Sequence, residues 1–140
     1  MRLELITLSG LKMDDDVYEV LLPTADGEIA VFPDHERLIT LAVPGIVRVR
    51  RHKSDHDDRM EIFATNGGVI EINAERVRVI VDEADAAEEI IESEAKAALE
   101  RAEKLRAEAK SQVDINEAQA LINRHIVQLK VAGLRRHKHK

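Results

Sequence analysis

Residues 26–45 read DGEIAVFPDHERLITLAVPG, and the interpretation of this stretch decides the fold. Asp26-Gly27 is a tight-turn dipeptide, because Gly27 reaches positive φ at little cost, and residues 28–32 then alternate, with Ile29 and Val31 on one side. That pattern is one arm of a β-hairpin. Pro33 ends the strand, Asp34-His35 makes an exposed corner, residues 38–43 are strand-like again, and Pro44-Gly45 has the chemistry of a type II turn.

The same grammar extends outward on both sides. Short apolar runs or period-two alternation, broken by turn residues about every ten positions, predict strands at 3–8, 17–22, 28–32, 38–43, 46–51, 60–65, 69–72 and 76–81. Strands this short and this numerous make an antiparallel β-sandwich or barrel of about eight to ten strands. Val47 and Val49 alternate with Arg48 and Arg50, and Val77, Val79 and Val81 with Arg76 and Arg78, so each of these strands has one wet face. Asn66-Gly67-Gly68 is the strongest hairpin signal, predicting a primed turn between strands 60–65 and 69–72. A phosphate-cradling loop would need a helix and a Lys-Ser/Thr after it, and neither follows. The run Asp14-Asp15-Asp16 reads as a solvated turn.

At Asp82 the period changes from two to helical. Asp85 with Glu88 offers a capping box, after which Ile91, Ala95, Ala98, Ala102, Leu105 and Ala109 recur at steps of three and four. This is a helix with a narrow, alanine-rich seam, and burying alanine yields far less free energy than burying leucine. Residues 111–113 break it, Asp114 with Glu117 offers a second capping box, and Ile115, Ala118, Ile122, Ile126 (alternatively His125) and Leu129 form a stripe beside Leu121. A three-residue connection folds the two helices into an antiparallel hairpin. The organisation expected is a sandwich over residues 1–84 and a two-helix domain over 85–140.

Composition narrows the function. The 140 residues include no cysteine, which excludes disulfides and thiolate chemistry, and only two Phe and one Tyr, so the core must be aliphatic. No stretch approaches the roughly 20 apolar residues of a membrane span, and the first ten residues lack a signal peptide's apolar run. Net charge is −6, unevenly spread. Residues 1–84 carry 10 basic and 17 acidic groups, residues 111–140 carry 6 basic and 2 acidic. The cationic end has no interleaved aromatics and the acidic body repels phosphate, which argues against nucleic acid and for an acidic protein surface as its partner.

Several motifs now stand in one order: Asp26-Gly27-Glu28, Pro33-Asp34-His35, Leu38-Ile39-Thr40, Pro44-Gly45, then Gly67-Gly68-Val69-Ile70-Glu71-Ile72. In the second helix, Val113-Asp114, Glu117-Ala118-Gln119-Ala120 and Ile126-Val127-Gln128-Leu129-Lys130-Val131 follow. Together they resemble the epsilon subunit of bacterial F-type ATP synthases over nearly the whole chain. The family's corner glycine is Asp34 here, and Asp is among the few residues that tolerate positive φ.

The resemblance implies a non-catalytic subunit of the central rotor stalk. It implies a sandwich that binds the gamma subunit and the c-ring, with Asp26, Gly27, Glu28, Pro33, Asp34 and His35 at that interface. It also implies a helical hairpin that inhibits ATP hydrolysis, in which Arg124, Lys130, Arg135 and Arg136 meet acidic groups of the beta and alpha subunits. Membrane association would come only through the complex, at the cytoplasmic face of a bacterial plasma membrane. Some family members bind ATP through an Ile-Asp-x-x-Arg-Ala motif early in the first helix. Residues 90–95 align on it as IIESEA, with Ile91 for Asp and Glu94 for Arg, so no nucleotide site and no cofactor are expected.

The remaining clusters have plainer readings. His52, Asp55, His56, Asp57 and Asp58 have metal-ligand chemistry, but no further ligand pattern lies near them, and a polar loop between two strands accounts for them. His137 and His139 among lysines read as a chain end. No metal site is expected. A Gly-x-Ser-x-Gly motif is absent, and nothing beyond composition pairs two carboxylates, which argues against an enzyme. The alternatives are a β-sandwich adaptor whose hairpin binds an unrelated partner and, with less support, a metal-dependent enzyme built on the His-Asp loop.

Overall fold

The computed structural model describes residues 1–138, except for the side chains of residues 136–138. Ten strands precede two helices: β1 Arg2–Thr7, β2 Gly10–Asp16, β3 Glu19–Thr24, β4 Gly27–Val31, β5 Leu38–Ala42, β6 Gly45–Arg50, β7 Glu61–Thr65, β8 Gly68–Ile72, β9 Arg76–Val81, β10 Ala84–Ala86, α1 Glu92–Glu108 and α2 Gln112–Lys138. The pairing order is β10-β7-β6-β3-β5-β8-β9-β1-β2, with β4 also on β3. β3 is the corner. Residues 19–21 pair with β6, whereas Thr24 pairs with Ala42 of β5, so one strand joins the two layers. The described pairs are antiparallel except β1 with β9, which run parallel.

The core is aliphatic, as an aromatic-poor chain requires. Leu3, Leu5, Val20, Leu22, Val31, Val49, Ile70, Val77 and Val79 have no exposed surface, and the buried Phe63 is the one ring in the core cluster they form among the described residues. Alternation works strand by strand: Val47 and Val49 point inward between half-buried Arg48 and Arg50.

The hairpin at Asp26 forms as its residues dictate. Thr24 faces Gly27 in the β3–β4 ladder, and Gly27 has φ 112°. The Thr24 hydroxyl donates to Gly27 O at 2.6 Å and accepts from Asp26 N at 3.2 Å, closing the turn from both sides. At the corner, Asp34 adopts φ 67°, the one positive φ outside glycine among the described residues.

Other turns differ from expectation. β7 and β8 do not pair with each other: β7 lies between β6 and β10, and β8 between β5 and β9. Asn66-Gly67-Gly68 is therefore a crossover between layers, and neither glycine has positive φ. Gly68 is required for another reason, since a Cβ there would stand 1.9 Å from Ile80 O. Gly45 likewise lacks the positive φ that a type II turn needs and begins β6 directly. A Cβ on it would meet the Pro23 side chain at 2.7 Å.

Two strands escaped the sequence reading. β2 includes Asp14, Asp15 and Asp16, so they form part of a strand rather than a turn; Arg2 pairs with Asp14 at 2.8 Å and Arg51 with Asp15 at 3.0 Å, while Asp14 and Asp16 are exposed. β10 occupies Ala84–Ala86 on the edge of β7, so Asp85 is a strand residue and not a helix cap. A short 3₁₀ turn, Ala87–Glu89, follows, and α1 starts at Glu92 without a side-chain cap. At α2 the cap is Ser111, whose hydroxyl accepts from Asp114 N at 3.1 Å, one turn earlier than the Asp114–Glu117 pair would place it.

Candidate functional site

The hairpin packs on the outside of β6 and β7. Val127, Val131 and Ala132 of α2 form one buried cluster with Ala64, Ala87 and Ile90, against which Ile46 and Ile62 also pack. The α1–α2 seam uses a second set: Ala95 and Ala102 on α1, Ala118 and Ile122 on α2. α2 thus carries two apolar stripes, where its sequence periodicity was read as one. The predicted seam is only half used, for Ile91 and Leu105 are more than half exposed.

Polar contacts ring this docking surface. Arg124 approaches Glu83 at 2.6 Å, as an ion pair whose angle falls short of a hydrogen bond, and Asp85 at 3.6 Å. Gln128 donates its amide to Asp85 at 2.9 Å, and its Oε1 lies 2.8 Å from His125 Nδ1. An amide oxygen only accepts, so that ring nitrogen carries the proton. Arg135 donates to the backbone oxygen of Ala87. Bordering the same cleft as Arg124 and Glu83, Lys12 of β2 reaches Glu89 in the 3₁₀ turn at 2.5 Å.

Of the four cations expected on the regulatory helix, Arg124 and Arg135 therefore hold the hairpin to the sandwich, and Lys130 is exposed. The side chain of Arg136 lies outside the described residues, as do the side chain of His137 and the whole of His139. Lys12, Glu83, Asp85, Glu89 and Gln128 carried no sequence signal for this role, because each of them contacts a partner more than 40 residues away along the chain.

Asp26, Gly27, Glu28, Pro33, Asp34 and His35 fall into two groups. Gly27 opens β4 and Val31 closes it, so roughly 13 Å of strand separates the turn from the corner. The turn adjoins the edge where Thr24 meets Ala42. The corner adjoins the β8–β9 turn, with Asp34 N donating to Ala74 O at 3.1 Å. His35 is half-buried, its Nδ1 2.7 Å from Glu36 O.

The His-Asp loop is organised by a cation of the chain itself. Arg50 reaches Glu19 at 2.9 Å and Asp57 at 2.5 Å, and donates to Asp55 O at 2.6 Å. The Arg50 hydrogen bond, with its charge, draws the Asp57 pKa below the ordinary carboxylate value. Asp55 accepts from His52 N at 3.1 Å, so the loop is internally bonded. Among the described residues no group of three or more His, Asp or Glu is disposed to hold a metal ion. Near α1, Ile91 is exposed, while Glu94 lines a cleft with Asp85, Glu89, Arg101, His125 and Gln128. Three carboxylates there disfavour a phosphate chain.

The comparisons with known proteins agree on one family. The family described as "ATP synthase, Delta/Epsilon chain, beta-sandwich domain" matches residues 1–87. An ATP synthase epsilon chain from Herpetosiphon aurantiacus is 31% identical over 138 residues, covering 99% of this chain and 98% of the relative. One from Moorella thermoacetica is 32% identical over 133 residues, covering 95% and 96%. In the Euglena gracilis mitochondrial ATP synthase (OSCP/F1/c-ring) a chain aligns with TM-score 0.74 and 21% identity, covering 93% of this chain and 79% of that one. A second, in the central stalk/c-ring of the Tetrahymena thermophila mitochondrial ATP synthase, aligns with TM-score 0.59 and 14% identity, covering 93% and 94%. At these identities the structures speak for the fold.

Proposed function

The chain belongs to the ATP synthase delta/epsilon family, as an epsilon chain, and on that premise we propose that it is a non-catalytic rotor subunit whose helical hairpin regulates ATP hydrolysis. The sandwich binds the gamma subunit and the c-ring, passing ion-driven rotation to the catalytic head, and Asp26–Glu28 and Pro33–His35 lie on the c-ring side of that contact. The hairpin is compact when turnover proceeds and extends along gamma to inhibit hydrolysis. Attachment to the cytoplasmic face of the membrane comes through the complex. No helix among the described residues is long and apolar enough to cross a bilayer.

The observation that carries this reading is the composition of the hairpin dock. Its buried cluster takes Val127, Val131 and Ala132 from α2, small side chains worth at most about 1–3 kcal/mol each on full burial. The rest of its hold is charged, and Arg124 and Arg135 supply much of it. Those cations are also the ones available to acidic alpha and beta surfaces when the hairpin leaves, so the two states compete for the same groups. A partner with a few kcal/mol of differential affinity moves such an equilibrium. Nucleotide sensing is not part of this switch, because Glu94 faces the cleft where a cation would have to meet phosphate.

The test is ATP hydrolysis by the purified catalytic head with gamma, given either the full chain or residues 1–87, with co-elution followed in the same samples. The shorter version ends at residue 87 because β10 completes the edge of β7. Binding by both with inhibition only by the full chain is the expected result. Binding by both without inhibition leaves a coupling subunit with no brake. Failure of both to co-elute removes the stalk reading and puts an adaptor in its place.

A further inference from the structure

The sandwich orients two side chains of α2 in turn. The Asp85 carboxylate only accepts, so the Gln128 amide nitrogen faces it at 2.9 Å, which turns Gln128 Oε1 toward His125 Nδ1 at 2.8 Å. Nδ1 therefore carries the proton of the neutral ring, and Nε2 keeps the lone pair. Among the described residues no hydrogen bond engages Nε2. His125 is half-buried and lines a cleft between hairpin and sandwich with Asp85, Glu89, Glu94, Arg101 and Gln128.

We propose that His125 is a pH-sensitive latch: a proton added at Nε2 tightens the hairpin on the sandwich, so that acid favours the docked state and alkali the released one. The added charge breaks no contact, because the Nδ1 proton and its bond to Gln128 stay in place. The equilibrium belongs to this chain alone and needs no partner. In a rotor subunit it holds the hairpin compact as pH falls.

The sign follows from which charges travel with His125 and which stay behind. The α1–α2 seam, Ala95 and Ala102 against Ala118 and Ile122, shares no residue with the cluster that seats α2 on Ala64, Ala87 and Ile90, so the hairpin can leave as a unit. Glu94 and Arg101 on α1 and Arg124 on α2 then accompany His125 in both states, and their effects on it nearly cancel. Glu83, Asp85 and Glu89 remain with the sandwich, as does Lys12. Lys12 is shared with Glu89, and Arg124 with Glu83 and Asp85. The fixed side thus presents three carboxylates to one ammonium. An imidazolium docked beside them is attracted, whereas the neutral ring has only its hydrogen bond.

The chain has no cysteine, so Ser54→Cys with Ala107→Cys, both at exposed positions, puts one dye on the sandwich and one on α1 of the full-length protein. Energy transfer at fixed ionic strength then gives the docked fraction from about pH 8 to about pH 5.5, the range in which histidine changes charge. The docked-to-released ratio is expected to rise at least about threefold on acidification, the scale of one partly exposed ion pair. His125→Asn keeps an N–H for Gln128 but cannot titrate, and should hold the ratio at the parent's alkaline level. His125→Lys, charged throughout, should hold it near the parent's acid level. A parent ratio that is constant, or that falls with acid, overturns the latch. So does a parent-sized response in His125→Asn, which places the titrating group elsewhere, at His35, His52 or His56 for example. Should His125→Asn release the hairpin at every pH, the Lys variant decides, and a parent-sized response there overturns the latch as well. Binding to gamma enters none of these outcomes, so the stalk reading stands or falls separately.

Discussion

Lys12 Nζ lies 2.5 and 2.8 Å from the two carboxylate oxygens of Glu89, joining residues 77 positions apart. The register explains the reach. Leu5 faces Met13 and Ile6 faces Leu11, so Lys12 is the extra residue of a β-bulge and turns away from the ladder toward the linker. The linker is thereby fastened at two points that border one cleft, Lys12 to Glu89 and Arg124 to Glu83.

A double-mutant cycle on Lys12→Met and Glu89→Gln will give a coupling of about 0.2–1 kcal/mol, in the range of partly exposed pairs. The readout is amide exchange of α2 around Val127 and Val131, which quickens in either single variant and further in 0.5 M salt. Unchanged exchange in both singles would show that the pair does not restrain the hairpin.

Gly68→Ala sets a Cβ against a backbone oxygen that cannot rotate away. A loss of more than about 3 kcal/mol is expected, because the clash forces β8 and β9 apart. Gly67→Ala meets Ala42 O at 3.1 Å, a contact relieved by a small shift, and costs about 1 kcal/mol or less. Urea midpoints for the two variants should rank in that order, and the reverse ranking would sink the close-approach account.

At the corner, Asp34→Gly removes the left-handed penalty on a residue with a Cβ, about 1–2 kcal/mol for ordinary side chains, at the cost of a looser unfolded chain. The net result is a gain of up to about 1 kcal/mol. Asp34→Val, branched at Cβ, loses at least that much. Equal melting temperatures for parent and Asp34→Val would contradict the assigned backbone.

Acid will loosen the loop at residues 52–59. The folded pKa of Asp57 is depressed by Arg50, so its contribution to stability is complete above the usual carboxylate range and is lost as pH falls through the depressed value. Following the Asp57 carboxyl by NMR, Arg50→Lys, which keeps the charge but not the forked donors, should raise the midpoint toward the ordinary carboxylate value. A midpoint that does not move would assign the depression to something other than Arg50.

Legibility followed the range of the interactions. The Asp26-Gly27 turn, the Asp34 corner and the alternation in β6 and β9 are local, and the residues announce them. Gly67-Gly68 misled because a glycine needed for close approach is written the same way as a glycine needed for a turn, and only the position of Ile80 O separates the two. Asp14–Asp16 read as a turn because their partners, Arg2 and Arg51, are more than ten residues distant. The second stripe of α2 stayed hidden since Val127 and Val131 fall between the positions of the first, and a helix packed on two bodies shows no single clean period.

The parallel pairing of β1 with β9 has a consequence for synthesis. β1 waits for residues 76–81 before its neighbour on that side exists. Until then it has only the hairpin with β2, and a lone hairpin in water is marginal at best. The sandwich therefore closes as one cooperative event of high contact order, only after β9 has been made. α1 and α2 emerge last, onto a body whose Ile46, Ile62 and Ala64 are already in place to receive them.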